Sequence, residues 1–429
     1  MRNPKNALSL AALLVVSGLI FTIAFAQEGD LTIWGWKSAT DEIIESGSLE
    51  RFSEAYPDID VTFVDYSAPD LYQQLPLAIT AGVGAPDVAI VESSNLAQFV
   101  DFGGLADLTD LVAPYRDDIN TFKWAQADLG GKTYAMPWDS GPVVLYYRRD
   151  VLEAAGLSTN PDDVSEMAAT WDGYLEMCQT IKDETGNDCF PQNKANNRAR
   201  FYEMMLWQQG LGYFEGDEIT VDSPENIATL ETLGKFWEAD LLSDQLEWTD
   251  GFYSDLSSTE DPVATIVAAA WLGGFLEGWI APDLVGKWGV ALMPSLNAES
   301  PRSANDGGSN LVILEQSEHK EAARAFVEFM LGDRQSQIDI FTASNFWPSL
   351  ETTYDAEIFA EANPYFADQQ VNEIYVDVAR QVPEANIYGP NYSLINGYVA
   401  TAIQKYALGQ TTAEAALKEA AETIRRDLQ

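Results

Sequence analysis

The chain has 429 residues, 46% of them hydrophobic, and 67 Asp and Glu against 24 Lys and Arg leave a formal charge of −43. A field of that sign repels phosphate backbones, so nucleic acid and anionic membranes are poor partners. Two cysteines and one histidine cannot build a Cys/His zinc site; no P-loop, HExxH or nucleophile elbow occurs, and neither metal nor cofactor is expected.

In chain order, Arg2 and Lys5 precede an uncharged apolar run from Ala7 to Ala26 that ends in Ala24-Phe25-Ala26. That is the pattern of a secretory signal over residues 1–26, with Gln27 as the first mature residue. An uncleaved anchor is the alternative, because roughly 20 apolar residues also span a bilayer. Either way the chain is expected to be exported, to the periplasm or the outer cell surface. The mature remainder, about 400 residues, is too long for one core and calls for two domains.

Leu31–Trp34 and Ile59–Val64 read as strands, with an amphipathic helix over Asp41–Ala55 between them. Leu71–Ala81 is a helix stopped by Gly82 and Gly84, Asp87–Val91 a buried strand, and Leu96–Phe102 a helix. Such alternation predicts an α/β fold with mostly parallel sheets flanked by helices. A second α/β region opens with the strand Val143–Tyr147. Its helices are expected over Asp150–Ala155, Trp171–Lys182 (N-cap Thr170), Ala199–Gln209 and Ser223–Asp240. Gly289–Met293 and Leu311–Leu314 are strands; Lys320–Leu331, Leu394–Leu408 and Thr412–Arg426 are helices. Cys178 and Cys189, an even pair close in sequence in an exported chain, favour a disulfide over two free thiols.

Several blocks coincide with one known pattern. They are Gly82-Val-Gly-Ala-Pro-Asp-Val88, Gly131-Lys-Thr-Tyr-Ala-Met-Pro137, the run Leu145-Tyr-Tyr-Arg-Arg-Asp-Val-Leu-Glu-Ala-Ala-Gly-Leu157, Thr170-Trp-Asp172, Gly307-Gly-Ser-Asn310 and Glu318–Met330. In this order behind a signal segment they resemble the extracellular solute-binding proteins of carbohydrate ABC importers, family 1, the group that includes maltose-binding protein. The resemblance implies a two-lobed periplasmic-binding-protein fold of type II with a three-crossing hinge. Lobe one would hold residues 27–138 and 295–337, lobe two 139–294 and 338–429. The crossings would fall near Pro137–Ser140, Met293–Ser295 and Gln335–Asp339. It also implies a monomer that holds a small-molecule sugar between the lobes and hands it to the importer's transmembrane subunits, with no catalytic residue.

A sugar needs rings for its C–H face and fixed polar groups for its hydroxyls. Trp36 and Lys37 follow the first strand, at the strand end where α/β sheets bind ligands, and Glu92 and Ser93 follow the Val91 strand in the same way. Trp138, Asp139 and Ser140 combine a ring, a carboxylate and a hydroxyl at the expected hinge. Trp271, Gly273 and Phe275 match the family segment that stacks a ring on sugar, with Trp271 or Phe275 as the cleft ring. Gly308 admits close backbone approach and Asn310 an amide; Trp347 and Tyr392 lie where the family's second lobe meets the cleft. Arg200 and Trp207, seven apart on one helix, read as core. Two other readings stay open: a polyamine or other cationic solute in the same fold, which the acidity would suit, and a secreted glycosidase with paired carboxylates.

Overall fold

The computed structural model describes residues 29–195, 198–216, 218–296, 300–384 and 388–428. The expected signal segment, residues 1–26, lies outside them. Among the described residues no helix is long and apolar enough to cross a membrane.

The chain lays down β1 (Gly29–Trp36), β2 (Ile59–Tyr66), β3 (Val88–Glu92) and β4 (Met136–Pro137). It then builds β5 (Val143–Arg148), β6 (Thr265–Ala269) and β7 (Trp288–Leu292) in a second sheet, and returns for β8 (Ser309–Ile313). The first sheet runs β2-β1-β3-β8-β4. β1 pairs parallel with β2 and β3, whereas β8 pairs antiparallel with β3 and β4. Leu31, Ile33, Val88–Val91 and Leu311–Leu314 carry its core, closed by Phe326 and Val327 of the helix Lys320–Leu331.

The second sheet corrects one expectation. β6 and β7 flank β5, and both run antiparallel to it. A mostly parallel sheet was expected in each lobe, and strands of such sheets are buried on both faces. Here both faces are buried too, but by helices on either side of an antiparallel sheet. Val143, Leu145 and Tyr147 enter one core with the Trp171, Arg200, Pro224 and C-terminal helices; Val144 and Tyr146 enter another with Trp288, Trp347 and Tyr375.

Local signals explain most helix limits. Thr170 Oγ1 accepts from the Gly173 N–H to start Trp171–Thr185, and Ser223 Oγ accepts from the Asn226 N–H to start Pro224–Glu238. The helix expected over Asp41–Ala55 is two helices, Lys37–Glu45 and Ser48–Ala55, broken where Gly47 turns left-handed at φ 78°. Cys178 and Cys189 form a disulfide with Cα atoms 5.2 Å apart.

Ser295 bonds to the second body, its N–H donating to the Ala169 carbonyl, and the chain passes back at Asn305–Gly308. Gln335–Asp339 lies inside the continuous helix Arg334–Ser344, which gives Ile340 to the first core and Phe341 to another; the chain turns after it, at Asn345 (φ 58°). Asp139–Ser140 pairs antiparallel with Trp347–Pro348, so two passages form one short ribbon. At Gly141 any side chain would run into the Asp306 carbonyl oxygen of the third passage. Only glycine fits there.

The disulfide closes a short loop, and both of its cysteines are fully buried in the core that Val143, Leu145 and Tyr147 enter, so its removal loses the unfolded-state restraint and some packing as well. Replacing both Cys178 and Cys189 with Ser should cost roughly 3 kcal/mol in chemical denaturation, with the native circular dichroism retained.

Candidate ligand-binding cleft

Where the passages run side by side, Gly307 and Gly308 make a left-handed turn at φ 85° and 103°. A Cβ at Gly308 would lie 2.6 Å from the Asp139 carbonyl oxygen and 2.7 Å from Lys123 Nζ, so the turn packs tightly against the ribbon. Two adjoining cavities open over it, sharing Glu92, Arg200, Asp306, Gly307 and Gly308 in their walls.

The first, about 360 Å³, has a wall of rings: Trp36 and Phe346 on one side, Trp248, Trp271 and Phe275 on the other. Trp36 stands at the C-terminal end of β1. Trp271 and Phe275 sit one helical turn apart on the short helix Trp271–Phe275, their centroids 5.5 Å apart, and Trp248 lies 5.7 Å from Trp271. Trp248 is held at φ 62°, a conformation unfavourable for a bulky residue and typical of positions where surroundings dictate the backbone.

Arg200, at the first turn of the helix Arg200–Trp207, spans both cavities. Its guanidinium lies 4.7 Å from the Trp271 ring centroid and 5.2 Å from that of Trp248, and its Nε and Nη2 grip the Asp306 carboxylate. Burial would lower the Arg200 pKa, but Asp306 and Glu247 outweigh it and hold the pKa above its ordinary value. Trp271 Nε1 donates to the Asp306 carbonyl at 3.1 Å. One aspartate therefore fixes both the cation and the ring.

Carboxylates complete the first cavity. Glu92 and Asp139 are both pushed up by burial; Asp139 is partly relieved by Lys123 and by the Ser309 N–H, which donates to it at 2.6 Å. Lys123 is itself lowered to about 8 by burial, and its Nζ donates to Ser93 Oγ at 2.8 Å. Among the described residues no group of three His, Cys, Asp or Glu side chains could hold a metal ion.

The second cavity, about 310 Å³, is more polar, with Ser94, Arg198, Glu203, Tyr392 and Asn396 over the Trp207 and Tyr388 rings. Glu203, 3% exposed, accepts from Tyr392 Oη at 2.6 Å and Asn396 Nδ2 at 2.7 Å.

Of the residues singled out from sequence, Trp36, Glu92, Asp139, Trp271, Phe275 and Gly308 line the first cavity and Tyr392 the second. The others sit elsewhere. Trp138 is 1% exposed, in the first core against Phe346, and is not a stacking surface. Trp347 is fully buried and donates from Nε1 to Tyr354 Oη. Lys37 points into solvent and pairs with Asp41. Ser93, Ser140 and Asn310 are buried behind the cavity, where Asn310 Nδ2 donates to Ser93 Oγ and Ser140 Oγ to Asn120 Oδ1. Gly273 donates its N–H to Tyr146 Oη beneath the ring wall.

Arg200 leaves the core that its helical spacing assigned to it. Asp306, Trp248, Phe346, Glu203 and Asn396 carried no sequence signal beyond Asp306's place before a Gly-Gly turn.

A model of the bacterial extracellular solute-binding protein family matches residues 36–337. The lactose-binding protein of Rhizobium radiobacter is 30% identical over 402 residues, covering 90% of this chain and 89% of its own. The arabinooligosaccharide-binding protein of Halalkalibacterium halodurans is 26% identical, covering 93% and 90%. Among solved structures, an ABC-transporter-associated binding protein from B. animalis subsp. lactis in complex with β-1,6-galactobiose superposes with a TM-score of 0.75 at 25% identity, covering 92% of this chain and 97% of that one.

Glu203 sets a pH dependence. Burial, eased by Tyr392, Tyr213 and Asn396, pushes its carboxyl up to about 7. The folded state thus holds this proton more tightly than the unfolded chain, whose Glu titrates near 4.3. The resulting stability is full below that value and is lost as pH rises through about 7. The unfolding free energy from chemical denaturation should fall between pH 5 and 7.5 by up to about 3 kcal/mol for this group, and Glu203→Gln should flatten that part of the profile.

Proposed function

Because the chain belongs to the bacterial extracellular solute-binding protein family, we propose that it captures a carbohydrate in this cleft and presents it, chemically unchanged, to the membrane subunits of an ABC importer. The observation that carries the reading is the ring wall Trp248–Trp271–Phe275 set on the Arg200–Asp306 pair and faced by Trp36 and Glu92 from the other body. Rings supply C–H contact, while guanidinium and carboxylates meet hydroxyls from fixed positions. Because the wall draws on both bodies, a bound ligand gains contacts only in the closed form and shifts the population towards it.

Two relatives carry lactose and arabinooligosaccharide in their names, which puts short neutral saccharides before a polyamine. Export fits a chain whose family is extracellular. Family membership likewise supports binding without turnover.

A thermal-shift panel of lactose, β-1,6-galactobiose, arabinooligosaccharides, maltose and putrescine tests the reading. A saccharide at 100 times its dissociation constant should add about 2.7 kcal/mol; a response to putrescine alone, or sugar release detected by chromatography, would overturn it. Phe275→Ala should weaken the responding sugar about tenfold by calorimetry, the loss expected for one stacking face.

A further inference from the structure

We infer that Asn345 is the spacer of the ring-lined cavity: its turn carries one ring wall and its side chain supports the other, so this residue sets the gap between them. The inference rests on the carbohydrate reading and goes further, to a positioning residue that does not itself line the cavity.

Asn345 ends the helix Arg334–Ser344 in a left-handed conformation, which asparagine adopts more readily than most residues. The turn is held on both sides. The Asn345 N–H donates to the Phe341 carbonyl at 2.8 Å and the Phe346 N–H to Ser344 Oγ at 3.0 Å, while Trp347–Pro348 pairs with Asp139–Ser140. Phe346 leaves this turn to line the cavity, with the Trp138 ring packed against it at 5.9 Å. One wall is therefore fixed to the passage between the bodies.

The other wall rests on the same residue. A Cβ at Gly274 would lie 2.8 Å from Asn345 Cβ and 3.2 Å from its Nδ2, closer than such atoms pack, so the helix Trp271–Phe275 is seated on Asn345 through bare backbone, one position before Phe275. At the adjoining Gly273 a Cβ would meet the Tyr375 and Tyr146 hydroxyls at 3.0 and 3.2 Å. Glycine is unfavourable in a helix, and two in succession are explained here by the close seating they allow. Packed side chains transmit a shift rather than absorb it, so one methyl group more or less at this seat moves Phe275 relative to Phe346. Asn345 is itself exposed, so exchanging it leaves the cores intact.

Moving the spacer from one side of the seat to the other tests this. Gly274→Ala adds a methyl group where Asn345 already stands, and Asn345→Gly removes the spacer while suiting the left-handed turn. With lactose and β-1,6-galactobiose as calorimetric probes, each single variant should weaken the sugar that binds the wild type about tenfold. The double variant, whose methyl group comes from the other side, should return to within about threefold of the wild type. Near-ultraviolet circular dichroism reports the same seat without ligand, because Trp271 packs against Phe275 and Trp248: both single variants should change the spectrum and the double variant restore it. Should Gly274→Ala fail to fold, Asn345→Asp, which keeps the Cβ and the shape, should bind within about threefold of the wild type while Asn345→Gly does not. Single variants that bind like the wild type, or losses that add in the double variant instead of cancelling, would overturn the spacer. If neither probe nor any other sugar binds the wild type, the carbohydrate reading falls; the spacer is then judged by the spectra, and unchanged spectra in the single variants overturn it.

Discussion

The cleft depends on the ion pair between Arg200 and Asp306. Asp306 lies on a passage between the two bodies, and its backbone is as fully bonded as its side chain. Its N–H donates to the Gly141 carbonyl of the neighbouring passage, its carbonyl accepts from Trp271 Nε1, and its carboxylate holds Arg200. Both side chains are largely removed from water, at 18% and 7% exposure. Such a pair is not a source of stability in itself, since desolvating two charges offsets most of their attraction; removing one partner would strand the other. The pair's contribution is position. It locks the guanidinium against two neighbouring indole rings and at the junction of two cavities, so one interaction orients stacking surface and polar contact together.

Close backbone approach makes that junction possible. Gly141 lies against the Asp306 carbonyl, and Gly308 against the Asp139 carbonyl and the Lys123 ammonium. These are passages of three different stretches of chain, brought within contact because two positions lack a Cβ. Behind them Lys123 provides a cation facing Asp139. Burial depresses its pKa to about 8, and its charge partly offsets the burial that pushes the Asp139 carboxyl up.

Much of the fold was legible because it rests on short-range signals. β1, β2 and β3 follow from period and from flanking glycines, and the Trp171 and Pro224 helices from Thr170 and Ser223, whose side chains cap them as their sequence positions suggest. Strand direction in the second sheet was not legible. An apolar run buried on both faces looks the same whether its neighbours run with it or against it, and β6 and β7 come from far along the chain. Trp138 and Trp347 show the same limit for side chains. Trp347 sits in the crossing ribbon next to the cleft and Trp138 immediately precedes it, yet each ring turns into a core, because which way a side chain points there is set by the packing around it.

Sequence alone determined what composition, periodicity and local capping control: an α/β chain with two bodies, a cysteine pair close enough to bridge, and rings and carboxylates at strand ends such as Trp36 and Glu92. Only the tertiary structure decided which of those groups share a cavity. Arg200 reads as a core residue on its own helix and becomes the centre of the cleft through Asp306, more than 100 positions away. Glu203 and Asn396 meet across an even longer stretch of chain. Contacts of that kind arise from how whole bodies pack, and no local pattern encodes the partner's distance or direction.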